Sequence, residues 1–526
     1  MLIGDIATNN ARRYPDKRAL LDAGRELTWS QVDDRARRLA GFLSDRGLTS
    51  GDRVMVIARN CLEWPEISFG LAKAGLIAVP VNIRLAPDEV AHVRDDCGAR
   101  AVIIHADHAD RFLDELTDLP LVVTIGPEYE SALAAADFGQ RQDTPGPSPD
   151  DVAVILYTSG TTGRAKGVMH THRALLYQAA DTNLVTEADR SDVMLATTPF
   201  FTAGGMVRTV SWLYLGQTMV IHQRFDPQAV IDEIERSAIT FTTFIPTMLH
   251  RTLAILEDGP PRDMSSLRRI SYGSAPVPPG LAQKAMDLLG CDLQQRYGLT
   301  ECGGQATILT PQDHRDIVAG RTSIGTSCGQ ESPMCAIRIV MNDGSEAPVG
   351  EIGEITIVSP ANSIGYWNLP EQTAEAFRPD GLRSGDLGYL DKDKYLHITG
   401  RRTDLIISGG FNVYPAEIER VIAGNAGVDM VAVVGVPDAE WGETPVAVVI
   451  PKSHVDDQAT LTDELAALCR AELAGYKQPR RFVYWREFPL GPAGKILKRE
   501  IANQVNQVSE ASAKIPVSTG STEERP

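Results

Sequence analysis

The feature that most constrains this chain is a buried strand that runs directly into a loop of glycine and hydroxyl residues. Residues 151–157 read DVAVILY, and this apolar and β-branched run predicts a buried strand. Residues 158–166 read TSGTTGRAK and cannot continue the strand, because glycines and short polar residues favour a turn. The glycines permit close backbone approach, the hydroxyls donate hydrogen bonds, and Lys166 supplies a positive charge. The loop is therefore predicted to bind phosphate, the alternative being an ordinary turn between a strand and a helix.

The loop differs from the phosphate-binding loop of P-loop nucleoside triphosphatases. That motif, GxxxxGK followed by Ser or Thr, needs a glycine where Ala165 stands and a hydroxyl where Gly167 stands. A P-loop enzyme is therefore disfavoured.

Strand-like and helical patterns alternate from about residue 27 to residue 323, which predicts layered α/β sheets in a large N-terminal domain. Strands are predicted at 53–58, 101–106, 121–125, 192–199, 218–225 and 239–246. Amphipathic helices are predicted at 29–46, 87–97 and 226–237. After Ile324, short strands with turn signals predict a small β-rich subdomain, and downstream of Arg402 the pattern predicts a compact α+β domain. Residues 508–526 are expected to form a disordered tail.

Composition narrows the range of partners. The chain has 526 residues and a formal net charge of −18, so neither nucleic acid nor an anionic membrane surface is expected as a partner. The seven cysteines lack metal-ligand spacing, which favours reduced thiols in a cytoplasm. The N-terminus has no apolar signal segment, and the longest apolar stretch, residues 69–81, is too short to span a bilayer. We therefore expect a cytoplasmic protein without stable membrane insertion.

Four further segments carry side chains suited to holding a nucleotide. They are YGLTECGG at 297–304, RSGDLGYLD at 383–391, GRRTDLIISGGFNVYPAEIE at 400–419 and PLGPAGKILKRE at 489–500. Asp386 is expected in a glycine-flanked turn, where its carboxylate can accept both hydroxyls of a ribose, and Lys495 on a glycine-rich loop. Each residue also has a structural interpretation, since Asp386 could cap a turn and Lys495 could be a charge at a helix start. In the same way Glu301 could be a surface acid and Tyr297 a core residue.

In this order and spacing, together with the SGTTG loop, the segments resemble the adenylate-forming superfamily, which contains acyl-CoA synthetases, peptide-synthetase adenylation domains and luciferases. The resemblance extends from about Asp5 to Arg499. It implies an N-terminal AMP-binding (adenylation) domain at 1–402 and a hinge near Thr403. It also implies a small C-terminal domain at 403–507 that rotates between two working positions.

The resemblance implies roles around a bound nucleotide. The phosphate-binding loop would consist of Thr158, Ser159, Gly160, Thr161, Thr162, Gly163 and Lys166. The adenine and ribose site would consist of Gly273, Ser274, Ala275, Tyr297, Gly298, Asp386 and Arg401, with the Tyr297 ring stacked on the base. Thr300 would touch the α-phosphate, Glu301 would hold Mg²⁺, and Lys495 would close over the adenylation site. The implied catalytic residues are Thr158, Lys166, Glu301 and Lys495.

The implied chemistry has two steps. A carboxylate first attacks the α-phosphate of ATP to give an acyl-adenylate, and because two anions meet, positioning and charge neutralisation matter more than acid or base catalysis. A thiol then attacks the acyl-adenylate after rotation about Thr403 removes the closing lysine. The rotation would bring Gly409, Gly410 and Phe411 to the site, where the glycine pair leaves room for pantetheine. Thr403, Phe411 and Ala165 depart from the usual residues at their positions, and the hinge identity is expected to affect switching.

The acyl pocket is expected to include residues from two segments. Phe201 and Thr202 lie in PFFTAGGM at 199–206, and Thr202 stands where relatives often carry His, which puts a gating role there in doubt. Tyr272 and Gly304 are expected on the pocket wall.

Arg296 stands beside Tyr297, where many relatives carry glycine. The interpretation that we favour is a guanidinium that faces a structural carboxylate. The alternative is a side chain that points inward, with Arg208 or Arg251, which would favour a substrate with a second polar group.

The sequence therefore predicts an ATP-dependent acid:CoA ligase that acts on a hydrophobic acid, whether fatty, carbocyclic or aromatic, with ATP, Mg²⁺ and CoA. The expected partners are the carboxylic acid and CoA, and a homodimer is a candidate assembly. One alternative is an adenylation enzyme that loads a separate carrier protein. A second is a non-catalytic nucleotide-binding regulator, against which the catalytic set argues. Oxygenation of the luciferase kind is a remote third, because nothing in the sequence indicates oxygen chemistry.

Overall fold

The strands and helices predicted in the first half of the chain are all present in the computed structural model of this protein. The structure describes residues 1–136, 146–158, 164–273, 275, 277–409, 411–438, 441–453, 455, 457–490 and 496–513. The helices up to residue 376 are α1 (Asp5–Arg13), α2 (Trp29–Asp45), α3 (Glu63–Lys73), α4 (Pro87–Cys97), α5 (Ala106–Phe112), α6 (Pro127–Ala135), α7 (His172–Val185), α8 (Ala203–Leu213), α9 (Pro227–Ser237), α10 (Pro246–Asp258), α11 (Pro279–Leu289), α12 (Pro311–Val318) and α13 (Pro370–Ala376). The order of elements confirms the α/β architecture.

The strands up to residue 401 form three sheets. They are β1 (Arg18–Asp22), β2 (Arg25–Thr28), β3 (Arg53–Ile57), β4 (Ile77–Pro80), β5 (Ala101–His105), β6 (Leu121–Ile125), β7 (Val152–Thr158), β8 (Lys166–Thr171), β9 (Val193–Ala196), β10 (Thr218–Ile221), β11 (Phe241–Phe244), β12 (Arg269–Gly273), β13 (Asp292–Tyr297), β14 (Thr307–Leu309), β15 (Gln330–Glu331), β16 (Ala336–Val340), β17 (Gly353–Val358), β18 (Phe377–Arg378), β19 (Gly381–Leu390) and β20 (Leu396–Arg401). The nine-stranded sheet has the order β15-β14-β13-β12-β11-β9-β10-β1-β2, and the six-stranded sheet has the order β6-β5-β3-β4-β7-β8. In the third sheet the order is β16-β17-β19-β18, with β20 paired to β19.

Two compact units make up the described chain. The larger comprises Met1–Ser384 with Tyr389–His397, and the smaller comprises Gly385–Gly388 with the chain from Ile398 onward. The smaller unit contains β21 (Ile406–Ser408), β22 (Phe411–Val413), β23 (Val428–Asp438), β24 (Gly442–Pro451) and β25 (Arg481–Tyr484), and the helices α14 (Pro415–Ala423), α15 (Gln458–Glu472) and α16 (Lys498–Ala513). Its sheet has the order β22-β21-β24-β23, with β25 paired to β24.

The larger unit has a core that its two large sheets share. One hydrophobic cluster contains Val54 and Ile103 of the six-stranded sheet, Met194 and Phe241 of the nine-stranded sheet, and the helices between them. α2 shows why such a helix forms, because the Thr28 side chain and Gln31 complete a capping box at its start. The apolar residues of α2 recur at helical spacing and are buried, so the helix is held chiefly by packing.

Three expectations about local structure are corrected. The glycine-rich loop connects β7 to β8, an antiparallel strand, so the alternative of a strand-to-helix turn was wrong. Asp386 lies within β19 and not in a turn, because Gly385 with φ +73° bends the strand without ending it. α16 continues to Ala513, past the expected start of a tail at 508, because residues 508–513 contain neither proline nor glycine to stop it.

None of the described helices is both long enough and apolar enough to cross a bilayer.

Candidate active site

The β7–β8 hairpin brings two of the predicted phosphate-binding residues together. Thr158 ends β7 and Lys166 begins β8, and the two are cross-strand partners. Both side chains are half-buried. The other residues predicted for this loop, Ser159, Gly160, Thr161, Thr162 and Gly163, lie outside the described residues.

A distant segment pairs with β8 and carries a tyrosine to Lys166. The Met169 amide donates to Gly365 O at 2.9 Å, and the Trp367 amide donates to Gly167 O at 2.7 Å. This close pairing requires glycine at 167, because a methyl group there would lie 2.6 Å from Ile155 Cγ2. The pairing sets Tyr366 beside the start of β8.

Tyr366 joins the predicted lysine to the predicted magnesium ligand. Lys166 Nζ lies 5.3 Å from the centroid of the Tyr366 ring, and the Tyr366 hydroxyl donates to Glu301 Oε1 at 2.9 Å. Burial and the Glu301 carboxylate raise the pKa of Tyr366 well above its usual range, so its hydroxyl stays protonated and donates. We call Lys166, Tyr366 and Glu301 the hairpin cluster.

The loop that carries Glu301 begins where β13 ends at Tyr297. A single 3-10 turn covers Thr300–Cys302, and the two following glycines have φ of +74° and +85°. Gly298 is packed against the end of the same loop, where a methyl group would lie 2.6 Å from Gln305 N. Thr300 and Glu301 are both half-buried, and the Ser363 amide donates to Glu301 O at 2.8 Å. The loop is therefore held at both ends.

His170 of β8 is buried in this region. Burial lowers the pKa of His170 to about 4, although an interaction with the Thr300 backbone opposes this shift. The ring is therefore neutral at physiological pH.

Glu301 suits a magnesium ion that is held mainly by a phosphate ligand. Its Oε1 accepts from Tyr366, and its other carboxylate oxygen has no hydrogen-bond partner in the described chain. No group of three or more His, Cys, Asp or Glu residues that could hold a metal occurs among the described residues. Mg²⁺ is commonly bound by one or two carboxylates plus substrate phosphates and water, so a single carboxylate fits it.

In the smaller unit, Asp386 and Arg401 form an ion pair. Arg401 Nε lies 3.2 Å from Asp386 Oδ1, and the Asp386 side chain is mostly buried. The two residues predicted to hold ribose are thus adjacent, although the sequence prediction put both in the domain that ends at 402. Thr403, the predicted hinge, is exposed in a 3-10 turn, and its hydroxyl donates to Asp404 Oδ1 at 3.2 Å.

Gly409 packs closely against Trp441 in the same unit. Its amide donates to Trp441 O at 2.8 Å, its φ is +58°, and a methyl group on it would lie 2.6 Å from the Trp441 ring. Phe411 is exposed and stacks on Tyr476 with ring centroids 4.8 Å apart. Gly410 and Lys495 lie outside the described residues.

The residues predicted for the acyl pocket have different surroundings. Phe201 is buried in the core, and Thr202 caps α8, since its hydroxyl oxygen accepts from the Gly205 amide at 3.1 Å. Beside Gly304 there is open space. Tyr272 does not line a pocket, because its ring lies in a hydrophobic cluster and its hydroxyl is 2.8 Å from His314 Nε2. Gly273 ends β12, Ala275 is exposed, and Ser274 lies outside the described residues.

The favoured interpretation of Arg296, a guanidinium that faces a structural carboxylate, is not supported by an ion pair among the described residues. The side chain is buried, but it makes no ion pair within the described chain, and its Nε and Nη2 atoms have no hydrogen-bond partner there. Arg251 does not accompany it, because Arg251 is exposed and its guanidinium lies over the Phe225 ring at 5.6 Å. Of these three arginines, Arg296 is buried and Arg208 is partly buried.

Sequence reasoning missed Tyr366. The Gly-Tyr-Trp run at 365–367 is visible in the sequence, but nothing in its spacing connects it to Glu301, which lies 65 residues earlier. Only the pairing with β8 brings it to the site.

Known proteins and protein families resemble this chain over most of its length. The chain matches the family model of AMP-binding enzymes over residues 7–367 and that of the AMP-binding enzyme C-terminal domain over residues 417–495. It is 37% identical to a feruloyl-CoA synthase of Amycolatopsis sp over 506 residues, which cover 95% of this chain and 98% of that protein. It is 34% identical to the fatty acid--acyl-carrier-protein ligase ScoC of Streptomyces coeruleorubidus, with 94% of this chain and 95% of that protein covered. The crystal structure of ATP-bound MatB from Rhodopseudomonas palustris superimposes with a TM-score of 0.85 at 28% identity, covering 97% of this chain and 100% of that one.

Proposed function

The chain belongs to the AMP-binding enzyme family, and from that premise we propose that it is an ATP-dependent acid:CoA ligase that works through an acyl-adenylate. It is an AMP-forming enzyme for which ATP and CoA are substrates. The observation that carries the proposal is the hairpin cluster. In this cluster the Lys166 cation and the Glu301 carboxylate both contact the Tyr366 side chain, and Lys166 is the last residue of the glycine-rich loop.

In the first step a carboxylate oxygen of the acid attacks the α-phosphorus of ATP, and the bond from that phosphorus to pyrophosphate breaks. Lys166 offsets the negative charge that gathers as the two anions approach. Glu301 would hold Mg²⁺, which when bound would neutralise phosphate charge. Tyr366 is a positioning residue, since its ring lies beside Lys166 and its hydroxyl orients the Glu301 carboxylate.

The proposal assigns nucleotide-binding roles to residues in each unit taken by itself. Tyr297 and Gly298 of the larger unit, with the turn at Gly273, Ser274 and Ala275, bind adenine in this proposal. In the smaller unit, the Asp386 carboxylate accepts hydrogen bonds from the ribose hydroxyls in this proposal, and its ion pair with Arg401 helps to position it.

In the second step the thiol of CoA attacks the acyl carbonyl, and AMP leaves with the oxygen that joined it to the acyl group. Lys495 acts in the first step only in this proposal, and rotation at Thr403 replaces it with the segment at Gly409 and Gly410. The close packing of Gly409 on Trp441 leaves no room for a side chain there.

Acid-dependent release of pyrophosphate from Mg-ATP tests the proposal. The full chain is supplied with a panel of fatty, carbocyclic and aromatic acids, with and without CoA. We expect pyrophosphate with particular acids, and AMP with an acyl-CoA in equal amounts when CoA is added. A panel in which no acid yields pyrophosphate would overturn the function.

A second candidate function is loading of an acyl group onto a carrier protein, which the likeness to the carrier-protein ligase ScoC favours. Adenylate formation is common to both functions. Parallel reactions with free CoA and with a phosphopantetheinylated carrier protein separate them, because only the true acceptor gives rapid AMP release.

A further inference from the structure

One buried face of the nine-stranded sheet carries an arginine that makes no ion pair or hydrogen bond with any described residue. Arg296 of β13 is 6% exposed, and its Nε and Nη2 atoms have no hydrogen-bond partner among the described residues. A buried guanidinium without hydrogen bonds or a counter-charge is costly, so such a group is rare unless a ligand completes it.

The same face of the sheet carries a row of unpaired polar groups. Thr243 of β11 is in register with Ser271 of β12, which is in register with Gln294 of β13. Residues in register on neighbouring strands share a face, and Arg296 lies two positions beyond Gln294, so all four side chains point the same way. Thr243 Oγ1, Ser271 Oγ and Gln294 Oε1 are buried and have no hydrogen-bond partner within the described chain.

A second arginine reaches this region from α8. Arg208 is partly buried, and its guanidinium lies over Gly204, where a methyl group would be 3.4 Å from Arg208 Nη1. Burial lowers the pKa of Arg208 to about 10, and burial together with the Arg208 cation lowers the pKa of Arg296 to about 9. The Arg208 cation therefore acts on Arg296 electrostatically, and the Asp181 carboxylate opposes its effect on the pKa of Arg296.

The carboxylate that interacts electrostatically with Arg296 already accepts hydrogen bonds from other groups. Asp181 of α7 accepts from Gln305 Nε2 at 2.6 Å, from the Met334 amide at 3.1 Å and from the Ser332 hydroxyl. Arg269, a buried arginine of β12, differs from Arg296 because its guanidinium has partners among the described residues. Its Nη2 lies 3.2 Å from Glu187 Oε2, and its Nη1 donates to Val185 O at 3.3 Å.

We propose that Arg208, Arg296, Thr243 and Ser271 form an arginine cradle for a second carboxylate, carried by the acyl part of the acid that the enzyme activates. The inference rests on the proposed function, since the cradle meets an acyl group only if the chain activates acids. Two guanidinium groups supply charge and paired N–H donors, and two hydroxyls supply further donors, which is the set that a carboxylate accepts from. Arg296 directly precedes Tyr297, so the cradle lies on the strand that leads into the Glu301 loop.

Matched pairs of acids test the cradle. Straight-chain and aromatic monocarboxylic acids are compared with dicarboxylic acids of the same length and ring, by kcat/KM for pyrophosphate release. We expect the dicarboxylic member to be preferred. We expect Arg296→Met and Arg208→Met each to lower its kcat/KM about 100-fold, mainly through KM, while the monocarboxylic member is unchanged or improved. Arg262→Met, which removes a surface arginine paired with Asp232 and Glu235, should change neither value.

The outcomes separate the two proposals. Pyrophosphate release with monocarboxylic acids alone, or a dicarboxylic preference that neither variant changes, would overturn the cradle and leave the ligase function intact. In that case the side chains of Arg208 and Arg296 would be hydrated and would not bind the substrate. No pyrophosphate with any acid would overturn the ligase function itself. If Arg296→Met does not fold, Arg208→Met, at a partly buried position of α8, provides the same comparison.

Discussion

The hairpin cluster and the arginine cradle lie in the same unit, but they differ in how far their charged side chains are paired with other described residues. In the hairpin cluster, Lys166 and Glu301 both contact Tyr366, so the site is assembled before any ligand binds. In the cradle, the Nε and Nη2 atoms of Arg296 have no hydrogen-bond partner in the described chain. The difference suggests a division of labour, in which a preassembled site serves the nucleotide common to every turnover and an incomplete one selects the acid.

The largest effect that would sharpen this contrast is expected at the hairpin cluster. Glu301→Gln keeps the shape of the side chain but removes the charge that would hold Mg²⁺, so we expect kcat/KM for pyrophosphate release to fall about 1000-fold for every acid. Glu331→Gln, a matched change at an exposed glutamate that accepts from the Ile337 amide, should leave the rate unchanged. A loss confined to one class of acid would contradict the division.

The next effect concerns the contribution of two buried arginines to the stability of the protein. Arg296→Met should raise the free energy of unfolding by about 1–3 kcal/mol, because it removes an unpaired buried cation. Arg269→Met should lower it by about 1–3 kcal/mol, because it breaks the ion pair with Glu187 and the hydrogen bond to Val185 O. Urea unfolding of the two variants and the parent measures both. A destabilised Arg296→Met protein would show that Arg296 serves the fold after all.

A pH effect is expected from His170 beside the hairpin cluster. Its pKa is about 4 in the folded protein and near 6.5 when unfolded, so the unfolded chain binds the proton more readily between these values. Stability is therefore complete above pH 6.5 and is lost as the pH falls toward 4. Between pH 7.5 and pH 5 the His170 contribution is about 2 kcal/mol, and His170→Leu should reduce the pH dependence of unfolding by that amount. The buried His172, whose pKa is also about 4, would account for part of the remaining slope.

The smallest effect is expected from the hydroxyl of Tyr366. Tyr366→Phe keeps the ring beside Lys166 and removes one hydrogen bond to a carboxylate, so kcat/KM should fall about tenfold for all acids alike. Tyr395→Phe removes a similar bond, from Tyr395 to Asp313 at 2.6 Å, away from the cluster, and provides the control. Equal losses in the two variants would mean that Tyr366 has no special positioning role.

Sequence reasoning succeeded where local pattern determines structure. The apolar run at 151–157 and the composition of the loop after it predicted both a strand and its end, because these depend on neighbouring residues. It failed where strand register decides which face of a sheet a side chain occupies. Tyr272 was placed on a pocket wall, yet strand alternation turns it to the opposite face of the sheet from Ser271, into a hydrophobic cluster.

The same limit applies to Arg296 and Tyr366. The sequence left the direction of Arg296 open, because whether a carboxylate faces it depends on which residues of α7 and α8 pack over β13. Tyr366 reaches Glu301 only through pairing with β8, a contact between distant segments that no local pattern predicts.

Transfer of oxygen from the acid to AMP tests the central claim, that an acyl-adenylate forms, most directly. An accepted acid labelled with ¹⁸O in its carboxylate is converted with Mg-ATP and CoA, and the products are analysed by mass spectrometry. The account predicts one ¹⁸O atom in AMP and none in pyrophosphate, because the carboxylate oxygen that attacks the α-phosphorus stays with AMP when the thiol takes the acyl group. Unlabelled AMP, or label in pyrophosphate or inorganic phosphate, would contradict it.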